Sequence, residues 1–299
     1  MRYLPFLLLF TLYACAKDSN DIVEDKPPEG VALTSPDTDK TFFVWDFSEP
    51  KSYTYRTEME MNMSMSSETE LPMGNMDFNQ VIGIDYRIEA KDNSKADIYI
   101  DNMNVIKAPF PGMEEMMAAQ FPQGPTLIIK DMDAGGDYDP NQVVNLSGME
   151  MAGAASPFML PRRDLKVGET DTLVMEQSMS QDMVDTDFKQ RVFITFAGYD
   201  EYKGKECAVL VLDFVVDESN LSFENPEDPD AEKTEIDMDI DMATGSRYYW
   251  DPVGHYFVGG EIQVDGDLGL GAGGGMPEMP EGVSMEMDMV QKIELVGIE

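Results

Sequence analysis

The stretch that decides the fold is Tyr53-Thr54-Tyr55-Arg56-Thr57-Glu58-Met59-Glu60-Met61-Asn62-Met63-Ser64-Met65. Its odd-numbered positions carry Tyr, Thr and Met, whereas every even-numbered position carries a polar or charged residue. This alternation has the period of a β-strand, in which successive side chains point to opposite faces. We therefore expect a strand of an antiparallel sheet, with one face in the core and the other in solvent.

The same alternation recurs towards the C-terminus. It is found in residues 236–242, Ile-Asp-Met-Asp-Ile-Asp-Met, and in residues 285–289, Met-Glu-Met-Asp-Met, from which it continues to Ile293 and Leu295. Other runs are rich in β-branched and aromatic residues, which favour strands. These runs are 41–47, 78–90, 96–106, 126–130, 142–146, 172–179, 191–197, 206–217, 247–251 and 255–264. The sequence therefore predicts an all-β protein.

One short helix is expected between Pro111 and Pro122, because proline is poorly tolerated inside a helix. Four apolar residues in this interval have the spacing of one helix face: Met113, Met116, Met117 and Phe121. An isolated helix of this length is unstable in water, so the sheet must support it.

The charge of the chain excludes several classes of partner. The sequence has 58 acidic and 21 basic residues, a net charge of −37. Such a chain is repelled by nucleic acid and by anionic lipid headgroups, so neither is an expected partner. A salty or calcium-rich medium would screen this self-repulsion. The hydrophobic content of 42% nevertheless allows a sizeable core.

The first fifteen residues predict where the protein is located. The apolar run 3–14 is shorter than the roughly 20 residues that span a bilayer, so it fits a secretory signal. Leu12-Tyr13-Ala14-Cys15 resembles the lipobox of bacterial lipoproteins. That resemblance implies that Cys15 is lipidated and holds the protein on the bacterial cell envelope, at the outer membrane, on its periplasmic or its surface-exposed side. The alternative is an ordinary cleaved signal.

The remaining chain divides into a tether and one domain. Residues 16–40 are mostly polar and acidic and lack periodicity, which indicates a flexible tether. Within the β-rich domain 41–299, residues 77–84 parallel residues 187–194, and Lys95 matches Lys205 at the same offset. We expect two related halves, about 53–155 and 162–299. Chance similarity between two amphipathic strands is the alternative.

Several scattered segments resemble an uncharacterised group of bacterial envelope lipoproteins. They are the Tyr-x-Tyr strand with its Met alternation, Leu160-Pro161 leading into 165–170, Tyr202-Lys203-Gly204-Lys205-Glu206-Cys207-Ala208, and Thr244-Gly245 before a strand. The resemblance implies the open, curved antiparallel sheet, or half-barrel, of lipoprotein-carrier proteins, wrapped round a short helix. None of these motifs is catalytic.

The methionines are the candidate ligand site. We expect eight of them to line a cavity on the concave face and to receive an apolar small molecule or lipid: Met59, Met61, Met63, Met65, Met238, Met242, Met285 and Met287. Methionine adapts readily to irregular apolar surfaces. Thioethers also suit Cu(I), so a copper-binding protein is one alternative. A purely structural surface lipoprotein is another.

No enzyme or organic cofactor is predicted. The only histidine, His255, follows a turn, and Cys207 lies in an apolar run where a thiol is inert. Residues 131–139 resemble a calcium loop, with Gly at the sixth position, although the fifth position has no side-chain ligand. The candidate Ca²⁺ ligands are Asp131, Asp133, Asp137 and Asp139.

Overall fold

A computed structural model describes residues 43–67, 76–91, 94–110, 112–119, 121–122, 124–138, 158–181, 184–223, 234–270 and 283–299. Within these ranges, backbone pairing alone is described for 65, 67, 76, 175–181, 184–188, 190, 216–223, 234–244, 268–270 and 283–285. The predicted signal and tether, and the strand predicted at 142–146, lie outside the described residues.

In the part of the chain that the structure describes, ten strands form a single antiparallel sheet. Their order across the sheet is β4-β3-β2-β1-β10-β9-β8-β7-β6-β5, and β4 and β5 are its two edges. The sheet is therefore open, and the predicted all-β, open and curved architecture is confirmed. The strands are β1 Ser52–Ser67, β2 Met76–Ala90, β3 Lys95–Lys107, β4 Thr126–Asp133, β5 Thr170–Gln181, β6 Val184–Tyr202, β7 Lys205–Phe223, β8 Thr234–Asp251, β9 Tyr256–Leu270 and β10 Val283–Ile298.

The strand that decides the fold lies in the middle of the sheet. β1 pairs with β2 on one side and with β10, the last strand of the chain, on the other. The two strongest alternating patterns of the sequence therefore lie side by side. Their registers match, since Met61 is opposite Met289 and Met63 is opposite Met287.

One face of the sheet carries the core, and the sheet curves round it. The ring of Tyr86, on β2, lies 5.9 Å from that of Phe158, which lies 6.4 Å from that of Phe257, on β9. Three strand spacings of about 4.8 Å separate β2 from β9, yet one phenylalanine bridges them. This is the concave face.

Residues 43–47 cross the concave face and are not a strand, so the strand predicted at 41–47 is wrong over its described residues. Its backbone makes isolated hydrogen bonds instead of a strand ladder. The amide of Trp45 donates to the Ala134 carbonyl at 2.8 Å, and that of Asp46 donates to the His255 carbonyl at 3.2 Å. Its aromatic enrichment, which is typical of a strand, here reflects burial of the rings in the core.

The predicted helix is present and short. It forms α1, Glu114–Ala118, with two acidic residues in its first turn, where the helix dipole favours them. None of its residues is buried, and Met116 is 37% exposed. Its methionine face therefore packs only partly, against the side of the sheet that carries β3.

The repeated segments occupy corresponding hairpins. Residues 77–107 contribute to β2 and β3, and residues 187–217 to β6 and β7. Each hairpin supplies the second and third strands of its half, counted along the chain. Superposition of the two halves stays a prediction.

Candidate functional site

The methionines of β1 and β10 meet at the end of the concave face that lies away from residues 43–47. Met61 and Met63 are buried together with Phe78, and half-buried methionines pack against them. This cluster adjoins the main aromatic core. We call it the methionine end, and it consists of Met59, Met61, Met63, Phe78, Met287 and Met289.

The other predicted methionines occupy neighbouring register positions. Met65 is opposite Met76 and Met285, and Met238 is opposite Leu270. Met242 is opposite Gly266, which is in turn opposite Met287, so Met242 belongs to the same cross-strand row as Met63. The structure therefore brings the predicted set onto β1, β10 and β8, with β9 between them. The side chains of Met65, Met238, Met242 and Met285 lie outside the described ones.

Two members of the methionine end and one residue beside it were not among the predicted site residues. Met289 continues the alternation of Met285 and Met287 and could have been found from it. Phe78 alternates with buried residues of β2, which gives the same signal. Phe110 lies just beyond β3, and no periodicity points to it, yet its ring contacts that of Phe78 edge-on at 5.3 Å. Because Phe110 is 37% exposed, it forms a rim of the methionine end.

A second feature of the concave face is a set of buried hydroxyl groups. Four of them are shielded from solvent and find no hydrogen-bond partner within the described part of the chain. Leaving a buried polar group unsatisfied costs about 1–3 kcal/mol. We call this set the hydroxyl belt, and it consists of Thr57, Tyr86, Ser246 and Tyr248.

Strand register places the hydroxyl belt directly beside the methionine end. Ser246 lies in the same cross-strand row as Met59, through Ile262 and Gln291. The next row towards the aromatic core contains Thr57 and Tyr248. Tyr86 lies one row further, opposite Tyr55.

The hydroxyl belt is uncharged. Among the described side chains, the buried polar set contains no Lys, Arg or His, and its only charged members are Asp97 and Asp251. Both carboxylates lie near the hairpin turns at the opposite end of the strands, where Lys91 approaches Asp97 at 2.6 Å and Lys205 approaches Asp251 at 3.0 Å.

The two phenols of the belt stay protonated at neutral pH. Burial raises the pKa of Tyr86, and it raises the pKa of Tyr248 well above its ordinary value. Burial disfavours the charged phenolate and leaves the neutral hydroxyl. Each group can therefore donate one hydrogen bond as well as accept one.

The convex face near the methionine end has the opposite character. An open groove of about 850 Å³ is lined by acidic and amide side chains and by Lys107, and it also reaches Met63, Phe78 and Met287 of the methionine end. Like charges are directly opposed in its floor, where Asp265 faces Asp288 and Asp267 faces Glu286. No group of three or more His, Cys, Asp or Glu side chains that could hold a metal ion occurs among the described residues.

These opposed acidic side chains predict that the melting temperature of the protein depends on the salt concentration. Like charges directly across a sheet are destabilising, by about 0.2–1 kcal/mol a pair. Raising NaCl from about 0.01 M to about 1 M shortens the Debye length from about 30 Å to about 3 Å. Calorimetry should then show a melting temperature higher by about 2–4 °C, which corresponds to about 1 kcal/mol. An Asp265→Asn/Asp267→Asn variant should respond less, and a salt-independent wild type would contradict the expectation.

The predicted calcium ligands have other partners. Asp131 pairs with Lys91 at 2.8 Å, and Asp137 pairs with Arg162 at 3.2 Å. Asp133 accepts hydrogen bonds from the amides of Gly135 and Asp137, which makes it a turn residue. Asp139 lies outside the described residues, and calcium binding stays a prediction.

The two side chains considered for catalysis have structural surroundings. Cys207 is fully buried on β7, and burial raises the pKa of its thiol to about 11, so little reactive thiolate forms. His255 lies in the turn before β9 with a φ of 57°, and its Nδ1 lies 3.1 Å from the Val44 carbonyl oxygen. Both side chains therefore lie at the end of the sheet that carries the aromatic core, where their contacts are structural.

Comparison with known proteins gives distant likenesses only. No protein-family model matches the chain, and no curated protein matches it. A structure on lipid–protein interactions in lipovitellin is 14% identical over 85% of this chain, with a TM-score of 0.41, and this chain spans 26% of that one. The Pseudomonas aeruginosa protein OccK9 (OpdG) is 7% identical over 81% of this chain and 98% of its own, with a TM-score of 0.24. At these TM-scores neither likeness carries an argument about function.

The helices give no sign of a membrane span. In the described part of the chain, none is both long and apolar enough to cross a bilayer.

Proposed function

We propose that this protein is a non-enzymatic, lipid-anchored protein of the bacterial cell envelope, and that it binds an apolar molecule at the methionine end. The observation that carries the proposal is the continuation of the concave face beyond its aromatic core as a surface of methionine and phenylalanine. Methionine side chains are long and unbranched, so they can repack around guests of different shape.

The position of this surface supports a binding role over a purely structural one. A core cluster needs well-defined packing, and a sequence that only fills space favours Leu, Ile and Val over Met. Here the methionines concentrate at one end of two adjacent strands, and the half-exposed ring of Phe110 borders them. An apolar guest would cover Phe110 and the half-buried Met59, Met287 and Met289.

Replacing methionine by leucine tests the proposal. The variant is the quadruple Met59→Leu/Met61→Leu/Met63→Leu/Met287→Leu. We expect it to fold, because Leu and Met are similar in volume and each swap costs less than about 1.5 kcal/mol. It should also retain binding of the neutral apolar dye N-phenylnaphthylamine, measured by fluorescence, because the surface stays apolar. The control is Met103→Leu/Met132→Leu, which changes two core methionines outside the methionine end.

A titration with Cu(I) separates the two ligand classes, because leucine has no thioether to donate. Tight Cu(I) binding that is lost in the quadruple variant and kept in the control, without dye binding to the wild type, would replace the proposal by the copper alternative. If the wild type binds neither Cu(I) nor the dye, the remaining interpretation is a purely structural surface lipoprotein.

The anchor is tested separately at Cys15. Acylation of the lipobox cysteine needs its sulfur, so Cys15→Ser should abolish incorporation of a radioactive fatty acid and release the protein from the outer-membrane fraction. A Cys207→Ser variant is the control, since that thiol is buried. Continued labelling of Cys15→Ser would show that the protein is not a lipoprotein of this kind.

A further inference from the structure

We propose that the guest is an uncharged amphiphile, whose hydrocarbon part lies on the methionine end and whose polar group hydrogen-bonds to the hydroxyl belt. This inference rests on the proposed function and adds the chemical class of the ligand. A long-chain alcohol, an acylglycerol and a lipid-soluble carbonyl compound all have the required chemistry.

The first support is the lack of partners for the hydroxyl belt. Buried polar side chains in proteins are nearly always hydrogen-bonded, so a cluster of buried orphan hydroxyls suits a polar partner from outside the protein. Nε1 of Trp45 and Trp250 and Oδ1 of Asn79 also lack a partner among the described residues. Thr57 and Tyr248 lie in one cross-strand row and Ser246 in the next, and none of the three hydroxyls has an acceptor or donor among the described residues.

The second support is the direction of Tyr248. A Cβ on Gly260, the residue opposite Tyr248 on β9, would lie 2.5 Å from Cδ1 of the tyrosine ring. The ring therefore lies over Gly260, and it points from β8 towards β10 and β1. Because Gly260 and Ile293 separate Tyr248 from Thr57 in their row, the ring brings the phenol towards the Thr57 hydroxyl.

The third support is the distance between the two surfaces. Successive rows on one face are about 7 Å apart, which is two residues of strand. Ser246 shares its row with Met59, and the row of Met61 and Met289 follows immediately. One molecule can therefore contact the hydroxyl belt with its polar group and the methionine end with its chain.

The polar group of the guest should carry no charge. An anionic group such as a carboxylate loses its hydration on burial and needs a nearby cation in exchange. Among the described side chains no Lys, Arg or His is buried, and the lysines nearest to buried acids already pair with Asp97 and Asp251. Neutral hydroxyls suit a hydroxyl, an ester or a ketone instead.

The test compares two lipids that share one chain and differ in the polar group. N-phenylnaphthylamine bound to the full-length protein is displaced by monooleoylglycerol, which is neutral, and by oleate, at a pH where oleate is ionised. We expect monooleoylglycerol to displace the dye at a concentration at least about tenfold lower, which corresponds to about 1.4 kcal/mol.

A variant without two of the hydroxyls should lose this preference. Thr57→Val/Tyr248→Phe keeps shape and volume, so dye binding should stay unchanged while the advantage of monooleoylglycerol falls below about threefold. Thr57→Ser retains a hydroxyl and should retain the preference. The melting temperature of the double variant should be no lower than that of the wild type, because the deleted hydroxyls have no partner to lose.

The outcomes separate the inference from the proposed function. Failure of the dye and of both lipids to bind the wild type would overturn both. Dye binding with equal displacement by both lipids, or with stronger displacement by oleate, would overturn the inference and leave the proposed function standing. A preference for monooleoylglycerol that survives in the double variant would also overturn the inference and leave the proposed function standing. If the double variant does not fold, the inference is judged by whether monooleoylglycerol displaces the dye from the wild type more strongly than oleate does.

Discussion

Replacing Trp45 by alanine is expected to lower the free energy of unfolding by about 3–5 kcal/mol, the range for deletion of a buried aromatic side chain. Trp45 is 2% exposed, and it lies on no strand. Its ring nevertheless stacks on Phe47 and meets four further rings edge-on: Tyr53, Phe158, Trp250 and Phe257. These four rings come from three strands and one loop, so the deletion leaves a cavity in the aromatic core of the concave face.

Urea unfolding followed by circular dichroism measures this effect. The control is Val44→Ala, which changes the neighbouring residue, and because Val44 is 42% exposed we expect a loss of less than about 0.5 kcal/mol. A loss below about 1 kcal/mol for Trp45→Ala would show that residues 43–47 do not hold the concave face together. The variant should keep the methionine end, which lies at the far end of the strands.

The alternation of β1 explains how much of the fold is predictable. The alternation in residues 53–65 predicts both a strand and which of its faces is buried, because one side of the sheet packs on the core and the other faces water. Residues 285–289 do the same, and the structure pairs these two segments in register. A local pattern cannot reveal that pairing, since it joins residues more than two hundred positions apart.

The segment 43–47 shows where sequence reasoning fails. Its aromatic and β-branched residues resemble a strand because β-propensity mainly measures fit to a half-buried surface. In the structure its backbone hydrogen bonds come from residues distant in sequence, Ala134 and His255. The composition of the segment therefore fits the burial of its aromatic rings, and the strand predicted from it is wrong over its described residues.

The candidate site was predictable to a similar degree. The period-2 methionines indicated one apolar face, and the register places them on neighbouring strands. The hydroxyl belt was not predicted, because Thr57 falls in the alternation as an ordinary β-branched residue and Ser246 as an ordinary strand residue. These hydroxyls stand out only because they lack a hydrogen-bond partner among the described residues, and three-dimensional contacts are needed to see this.

Replacing Gly260 by alanine is expected to have the second large effect, a loss of about 1–3 kcal/mol through overpacking. The new Cβ would lie 2.5 Å from Cδ1 of Tyr248 and 2.9 Å from the backbone carbonyl oxygen of Arg247. The tyrosine ring could turn aside, whereas the carbonyl belongs to the paired strand β8 and cannot move without breaking the ladder. Gly245→Ala, on β8, is the matched control, because its Cβ would meet nothing within 4 Å.

The same substitution connects the fold to the proposed ligand. In the wild type, Gly260 provides the space over which the Tyr248 ring reaches towards Thr57, so a side chain at 260 should push the Tyr248 phenol away from the Thr57 hydroxyl. We therefore expect Gly260→Ala to lose both stability and the preference for monooleoylglycerol over oleate. Gly245→Ala should keep that preference and gain up to about 1 kcal/mol, because a strand interior disfavours glycine. Urea unfolding and the dye-displacement assay measure the two effects on the same protein samples. Equal stability of the two glycine variants would show that the Tyr248 ring does not lie over β9, and the second support for an uncharged amphiphile would then fall with it.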